Sequence, residues 1–350
     1  MNEAVEERAR YAGFDALRLI AAFGVLFSHV YATRGLLLEE PLWKLIPGVL
    51  NVATASVCCF FAISGYLVTQ SFCHRSGSVR GTVGFVRSRI LRIFPGYLTC
   101  IVATTFVGAF ISSLSTREYW LAADTWRYLY SNLTLQNFNT LPGVFAGNPA
   151  GSGVNGSLWT IPLEVGMYAM TLIYGLVLAW QGRWRALVAA ASVLVWCVAW
   201  PTRFVFYPHE GHAPCYAVLC YVIGAVCAVW ALKQRAVALL GISALALLVA
   251  SLHAGVAVDL SRVFAVAAVA LMALWLGRLG VPVLRQSTRW GDLSYGVFLY
   301  SSLVMQTLIW ANPNISLYAL MLASSMLSVV AAFLSWHLVE RRALQFKRLK

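Results

Sequence analysis

An arginine and a histidine stand eleven residues apart in one strongly apolar stretch, which runs from Phe14-Asp15-Ala-Leu-Arg18 to Ser28-His29-Val30-Tyr31. At 100° per residue, eleven steps overshoot three turns by about 20°, so Arg18 and His29 share one helix face, roughly 16 Å apart along the axis. Asp15, three residues before Arg18, lies near that face. A neutral imidazole suits proton transfer at neutral pH, and a guanidinium suits anionic oxygen. An arginine at the centre of a membrane helix costs about 3 kcal/mol, so such a stripe faces a protein interior or a wet cavity. The pattern is that of chemistry performed inside a bilayer.

Further constellations follow along the chain. Cys59-Phe60-Phe61-Ala62-Ile63-Ser64-Gly65-Tyr66-Leu67 places two small residues where helices can approach closely, and on residue type alone Ser64 and Gly65 fill a packing role. The basic stretch after it delivers Arg87, Arg89 and Arg92 ahead of Pro95. Arg89 and Arg92 are neighbours on one face of a helix entering the membrane. Such forks suit phosphate oxygens and serve equally as positive-inside anchors. A long polar segment, 113–157, carries Trp120, Trp126, Tyr128 and Tyr130, aromatics suited to a membrane interface or to a sugar ring. It leads into Asn155-Gly156-Ser157-Leu158-Trp159-Thr160-Ile161-Pro162-Leu163-Glu164, whose glutamate enters a span, where a carboxylate needs a partner or a proton.

The elements that must position these residues are membrane helices. Of 350 residues 60% are hydrophobic and 11% charged, and the mean hydropathy is +0.73, more apolar than a soluble core requires. Apolar runs predict an all-α, polytopic protein of about ten transmembrane helices, near 14–32, 48–71, 92–112, 158–180, 186–200, 214–232, 236–252, 262–277, 292–311 and 315–338. Ten spans put both termini on one side. Twenty of the 26 Lys and Arg then fall inward, leaving Arg34, Lys44, Arg117, Arg127, Arg203 and Arg262 outward, which makes the termini cytoplasmic. The formal charge of +13 is thereby topology and attraction to anionic lipid. The charges gather on no soluble face, which excludes a nucleic-acid binder. Asp, Arg and His within the first apolar run argue against a cleaved signal peptide. The eight cysteines lie mostly in apolar runs without a Cys-x-x-Cys pair and read as small membrane hydrophobes.

Taken in order, the motifs resemble the acyltransferase-3 family of polytopic membrane O-acyltransferases. They are Asp15-x-x-Arg18 with His29; Phe60-Phe61-x-Ile63-Ser64-Gly65-Tyr66-Leu67; Arg89-Ile-x-Arg92-Ile-x-Pro95; Gly156-Ser157-Leu158-Trp159-Thr160-x-Pro162-x-Glu164; Leu293-Ser294-Tyr295-Gly296-x-Phe298-Leu299-Tyr300; and Glu340-Arg341. Each is short, but six in one order over nearly the whole chain are specific. The resemblance implies one transmembrane domain over 1–350 in a bacterial cytoplasmic membrane. It implies transfer of an acyl group, usually acetyl, from cytoplasmic acyl-CoA to a hydroxyl of an extracytoplasmic or lipid-linked glycan, such as a lipopolysaccharide.

On that resemblance His29 is the catalytic base or an acyl relay, and Arg18, Arg89 and Arg92, with Ser64 beside them in motif order, are the donor-binding candidates. Asp15 would orient Arg18; Glu164 would orient His29 or bind a sugar hydroxyl; Trp159 and Asn155 are the acceptor-side candidates. Acyl-CoA is the expected co-substrate with no metal, and the expected partners are the glycan acceptor, membrane lipid and glycan-assembly proteins. Two features depart from the family pattern. Ser301 follows Phe298-Leu299-Tyr300 where many members carry a histidine, and no fused extracytoplasmic domain is expected beyond the last span. His209, Glu210, His212 and His253 read as solvated loop residues rather than metal ligands. The rival reading is a transporter or flippase of a glycan or lipid-linked intermediate, with intramembrane charges and Gly/Pro interruptions but no clear inverted repeat. A third is a structural subunit of a glycan-synthesis complex, which would leave the His29 stripe without a task.

Overall fold

The computed structural model describes residues 3–74, 78–178, 213–279 and 291–346; of residues 3–12 and 176–178 it describes the backbone alone. Among the described residues the chain is helical and holds no strand, only an isolated bridge between Thr140 and Gly153. The helices are α1 (Glu3–Thr33), α2 (Pro41–Leu45), α3 (Val52–Cys73), α4 (Val79–Ile111), α5 (Thr116–Leu121), α6 (Ala123–Leu133), α7 (Thr160–Leu178) and α8 (Ala213–Val229). They continue with α9 (Gln234–His253), α10 (Val258–Gly277), α11 (Ser294–Ala311), α12 (Leu317–Ser335) and α13 (Arg341–Gln345).

Among the described residues six helices are long and apolar enough to cross a membrane: Gly13–Thr33 of α1, then α3, α4, α9, α10 and the continuous stretch Leu317–Gln345. Helices α7, α8 and α11 also occupy stretches expected as spans, whereas 186–200 lies outside the described residues. So do His209, Glu210 and His212. The largest departure from the expected boundaries is α4, which starts at Val79 rather than near 92. Ser78 Oγ accepts from the Gly81 N–H at 3.0 Å, an N-terminal cap, and the basic turns that follow are helical without being apolar.

The chain divides into two compact units. The first comprises Met1–Ala21, Pro41–Arg87 and Glu164–Trp290. Asn51 caps α3, its Oδ1 accepting from the Thr54 N–H at 2.8 Å. Helix α3 packs closely on α8 because both present glycine: a Cβ on Gly65 would stand 2.0 Å from the Tyr221 carbonyl oxygen, and one on Gly224 2.1 Å from that of Ala62. Without a hydrophobic driving force between membrane helices, close backbone approach is what holds such a pair. Helix α9 shows the complementary pattern. Its buried residues, Val237, Gly241, Ala244, Leu248 and Ser251, repeat at alternating four and three, while Leu239, Leu240, Ile242, Leu245 and Leu247 are exposed. The bulky side chains face away from the protein, as lipid-facing ones do.

The second unit comprises Ala22–Glu40, Ser88–Leu163 and Gly291–Lys350. Leu26 and Val30 of α1 close a core with Met305, Ile309 and Leu320. Helix α6 is turned inside out: Thr125, Tyr128, Ser131 and Asn132 are buried, while Trp126, Tyr130 and Leu133 are exposed. The polar face is satisfied in part: Tyr97 OH donates to the Asn132 carbonyl at 3.0 Å and Asn132 Nδ2 donates to those of Tyr128 and Phe138, while Tyr128 OH and Asn132 Oδ1 are buried without a hydrogen-bond partner among the described residues. Between α12 and α13 the ladder widens into one π turn, Trp336–Glu340.

Candidate active site

In the second unit, His29 sits on α1 with Leu26, Ser28 and Val30 buried around it in sequence. Its ring is half-buried and makes no hydrogen bond among the described residues. Its carbonyl accepts from Thr33 Oγ1 at 2.8 Å, so the backbone is occupied while the imidazole is not. A partly buried ring with both nitrogens unengaged is available to a reacting group.

Arg92 is positioned by three elements of the same unit. Its Nη2 donates to Asp292 Oδ2 at 2.5 Å, and its guanidinium carbon lies 5.6 Å from the centroid of the Tyr295 ring. Tyr295 OH in turn donates to the Ile93 carbonyl at 2.9 Å. Asp292 Oδ1 accepts from Ser294 Oγ at 2.6 Å, which fixes the carboxylate. The π turn brings buried Glu340 to the same place: Ser335 Oγ donates to its Oε1 at 2.7 Å, and a Cβ on Gly96 would stand 3.1 Å from its carboxyl carbon. Asp292 and Glu340 were not singled out as site residues from sequence. Their signal was present, since each belongs to or adjoins a motif, but a pairing across 200 positions leaves no local trace. Arg89 Nε donates to Ser88 Oγ at 3.4 Å.

Asn155 does structural work. Its Nδ2 donates to the Leu299 carbonyl at 2.7 Å, its Oδ1 accepts from the Ser157 N–H at 3.2 Å, and its own N–H donates to Asn139 Oδ1 at 2.7 Å. It thereby caps the 3-10 turn Gly156–Trp159, which presents a half-buried Trp159. The Gly156 N–H donates to Ser302 Oγ, and Gln306 Nε2 donates to the Gly151 and Gly153 carbonyls. Ser157 Oγ is buried without a hydrogen-bond partner among the described residues. Ser301, at the position where many members of the resembled family have histidine, is buried and reaches only the Phe298 carbonyl at 3.4 Å.

In the first unit, Arg18 pairs loosely with Asp15 at 3.7 Å, as the spacing required. Ser64 is buried in α3 beside the Gly65 contact, where its size suits the packing. Glu164 accepts a hydrogen bond from Tyr168 OH, one turn along its own helix. His253 directs Nδ1 to the Val249 carbonyl at 2.9 Å.

Apolar helices with outward bulk, buried polar groups on facing helices and an unengaged histidine define a polytopic helical membrane enzyme. The chain belongs to the acyltransferase-3 family: an acyltransferase domain model matches residues 11–336. The protein named O-acetyl transferase from Shigella phage Sf6 is 29% identical over 345 residues, covering 95% of each chain. Nodulation protein 10 of Rhizobium leguminosarum bv. viciae is 26% identical over 364 residues, covering 95% of this chain and 93% of its own. No solved structure matches significantly. The chain is a membrane O-acyltransferase by family.

Proposed function

We propose that this enzyme transfers an acyl group, acetyl in the first instance, from cytoplasmic acyl-CoA to a hydroxyl of an extracytoplasmic or lipid-linked glycan in a bacterial cytoplasmic membrane. The observation that carries this reading is the imidazole of His29, without a hydrogen bond among the described residues, on the helix that also carries Arg18. In the direct form of the reaction a ring nitrogen takes the proton of the acceptor hydroxyl as its oxygen attacks the thioester carbonyl. The carbon–sulfur bond breaks, and the CoA thiolate recovers the proton from the imidazolium. In the relay form the same nitrogen attacks the thioester carbonyl, the carbon–sulfur bond breaks, and the departing CoA thiolate takes the proton that the acylated ring loses; the hydroxyl oxygen then attacks the acyl carbon, the carbon–nitrogen bond breaks, and the ring takes the hydroxyl proton. Arg18, Arg89 and Arg92 hold phosphate oxygens of the donor, with Asp15 and Asp292 orienting the first and last of them. Ser64 lies beside the donor path, Trp159 stacks on the acceptor sugar, Asn155 fixes the turn that presents it, and Glu164 binds a sugar hydroxyl. The printed name of the phage relative supports acetyl transfer to oxygen.

The test is transfer from labelled acetyl-CoA in vesicles, wild type beside His29→Ala and Arg18→Ala. A loss of about 10²–10⁴-fold is expected for His29→Ala, the range of a missing proton-transfer group. Full activity in both variants overturns the proposal. A labelled acyl-histidine trapped with donor alone selects the relay form.

A further inference from the structure

Arg278 is the C-terminal cap residue of α10, and its guanidinium has a buried edge. Arg92 and Arg262 each reach an aspartate, at 2.5 and 2.8 Å. Arg278 meets only neutral groups among the described residues: Nη1 donates to the Leu232 carbonyl at 2.9 Å, and the guanidinium carbon lies 4.4 Å from the centroid of the Tyr66 ring. Its Nε is buried with no hydrogen-bond partner. A guanidinium stays charged, and partial burial without a counter-charge is unfavourable. The carbonyl end of α10 and the ring offset part of that cost. No carboxylate meets it among the described residues, and an anionic ligand would supply the missing charge.

The same ring links Arg278 to Arg18. Tyr66 packs on Phe14 at 5.7 Å between centroids, and Phe14 is one turn before Arg18 on α1. Gly277 fits against Phe14 because it lacks a Cβ, which would stand 2.3 Å from the phenyl ring. Arg18 follows Phe14 by one turn of α1, so its station lies about 6 Å by helix rise from the ring that packs on Tyr66, on whose face Arg278 stands. That spacing suits a ligand with two separate phosphate groups. The donor has both: a diphosphate and a ribose phosphate monoester.

We propose that Arg278, with Tyr66 behind it, is the seat of the phosphate monoester on the ribose of the CoA donor, while Arg18 faces the diphosphate. This rests on the reading that acyl-CoA is the donor. The monoester carries up to two charges and presents paired oxygens to the Nε and Nη edge, the geometry that a guanidinium holds best.

The discriminating ligand is acetyl-dephospho-CoA, which lacks that one group. Full-length protein in nanodiscs is assayed with both donors, as wild type, Arg278→Gln and Arg278→Lys. The expected result for wild type is a KM for the dephospho donor about tenfold or more above that for acetyl-CoA. In Arg278→Gln the KM for acetyl-CoA rises by a similar factor, that for the dephospho donor is unchanged, and the ratio falls to near one. Arg278→Lys, which keeps the charge, falls between. The acceptor KM is unchanged throughout. The proposal is overturned if Arg278→Gln raises both donor KM values alike or leaves the ratio intact. A KM that follows the anionic-lipid content of the nanodisc, with the ratio intact, assigns Arg278 to a lipid phosphate and overturns it too. Wild type that transfers from neither donor fails the acyl-CoA reading itself, a result distinct from an unchanged ratio.

Discussion

Replacing either glycine of the α3–α8 contact by alanine should separate the two helices. A Cβ at Gly65 would stand 2.0 Å from the Tyr221 carbonyl oxygen, whereas real Cβ atoms keep at least 3.0 Å, so the helices must part by about 1 Å. The opposing atom is backbone, which cannot swing aside as a side chain can. A gap of 1 Å forfeits a quarter to a half of each dispersion well across the contact, and overpacking penalties run about 1–3 kcal/mol. The expected cost of Gly65→Ala is therefore about 3 kcal/mol, and Gly224→Ala, 2.1 Å from the Ala62 carbonyl oxygen, should match it. Once one alanine has parted the helices the second has room, so the double variant should lose about 3–4 kcal/mol rather than 6. Equilibrium unfolding in mixed micelles measures all three. Gly166→Ala in α7 is the control: nothing lies within 4 Å of its Cβ, so it should leave stability unchanged or raise it by up to about 1 kcal/mol. A Gly65→Ala variant within about 0.5 kcal/mol of wild type, or a strictly additive double variant, refutes the close-contact argument.

Two further outcomes follow. Asn155→Ala strands the buried Ser157 N–H and leaves the Leu299 carbonyl to its remaining partner Cys100 Sγ, and should cost about 1–3 kcal/mol in the same unfolding measurement, with transfer activity falling in parallel as the Trp159 turn loosens. Hydrogen bonds from the Ser115 hydroxyl and Ser115 N–H hold the Glu118 carboxyl below its ordinary value of 4.5, so its contribution to the α5 cap is present above 4.5 and lost as pH falls through the lowered folded value. Protection of the α5 amides, taken relative to the intrinsic exchange rate at each pH, should drop across that fall in wild type and stay level in Glu118→Gln; identical profiles would remove the cap from the account.

Periodicity located the helices well where one face is apolar over its whole length, as in α3, α9, α10 and α12. It misplaced the start of α4 because hydropathy does not register three basic turns capped by Ser78. The Arg18, Asp15 and His29 geometry was legible because one helix fixes it. Arg92 was legible as a cation, but its aspartate was not, since Asp292 arrives from far along the chain. Asn155 was marked as a site residue on its motif, and its hydrogen bonds to the backbone show what that motif builds: a turn held to α11 through Leu299 and Ser302. Arg278 was counted among inward charges, and only its burial against Tyr66 separates it from them.

Helix α11 carries Ser301, Ser302 and Gln306 buried in its middle, which lowers its apolar character below that of the six clear spans. A solitary α11 in lipid would expose the Gln306 amide and two hydroxyls, each costing several kcal/mol unless satisfied. The groups that satisfy Gln306 and Ser302 are Asn148, Gly151, Gly153 and Gly156, all made earlier in synthesis. The dependence is mutual: the 148–156 segment and α11 satisfy each other's polar groups, so neither is complete in lipid without the other.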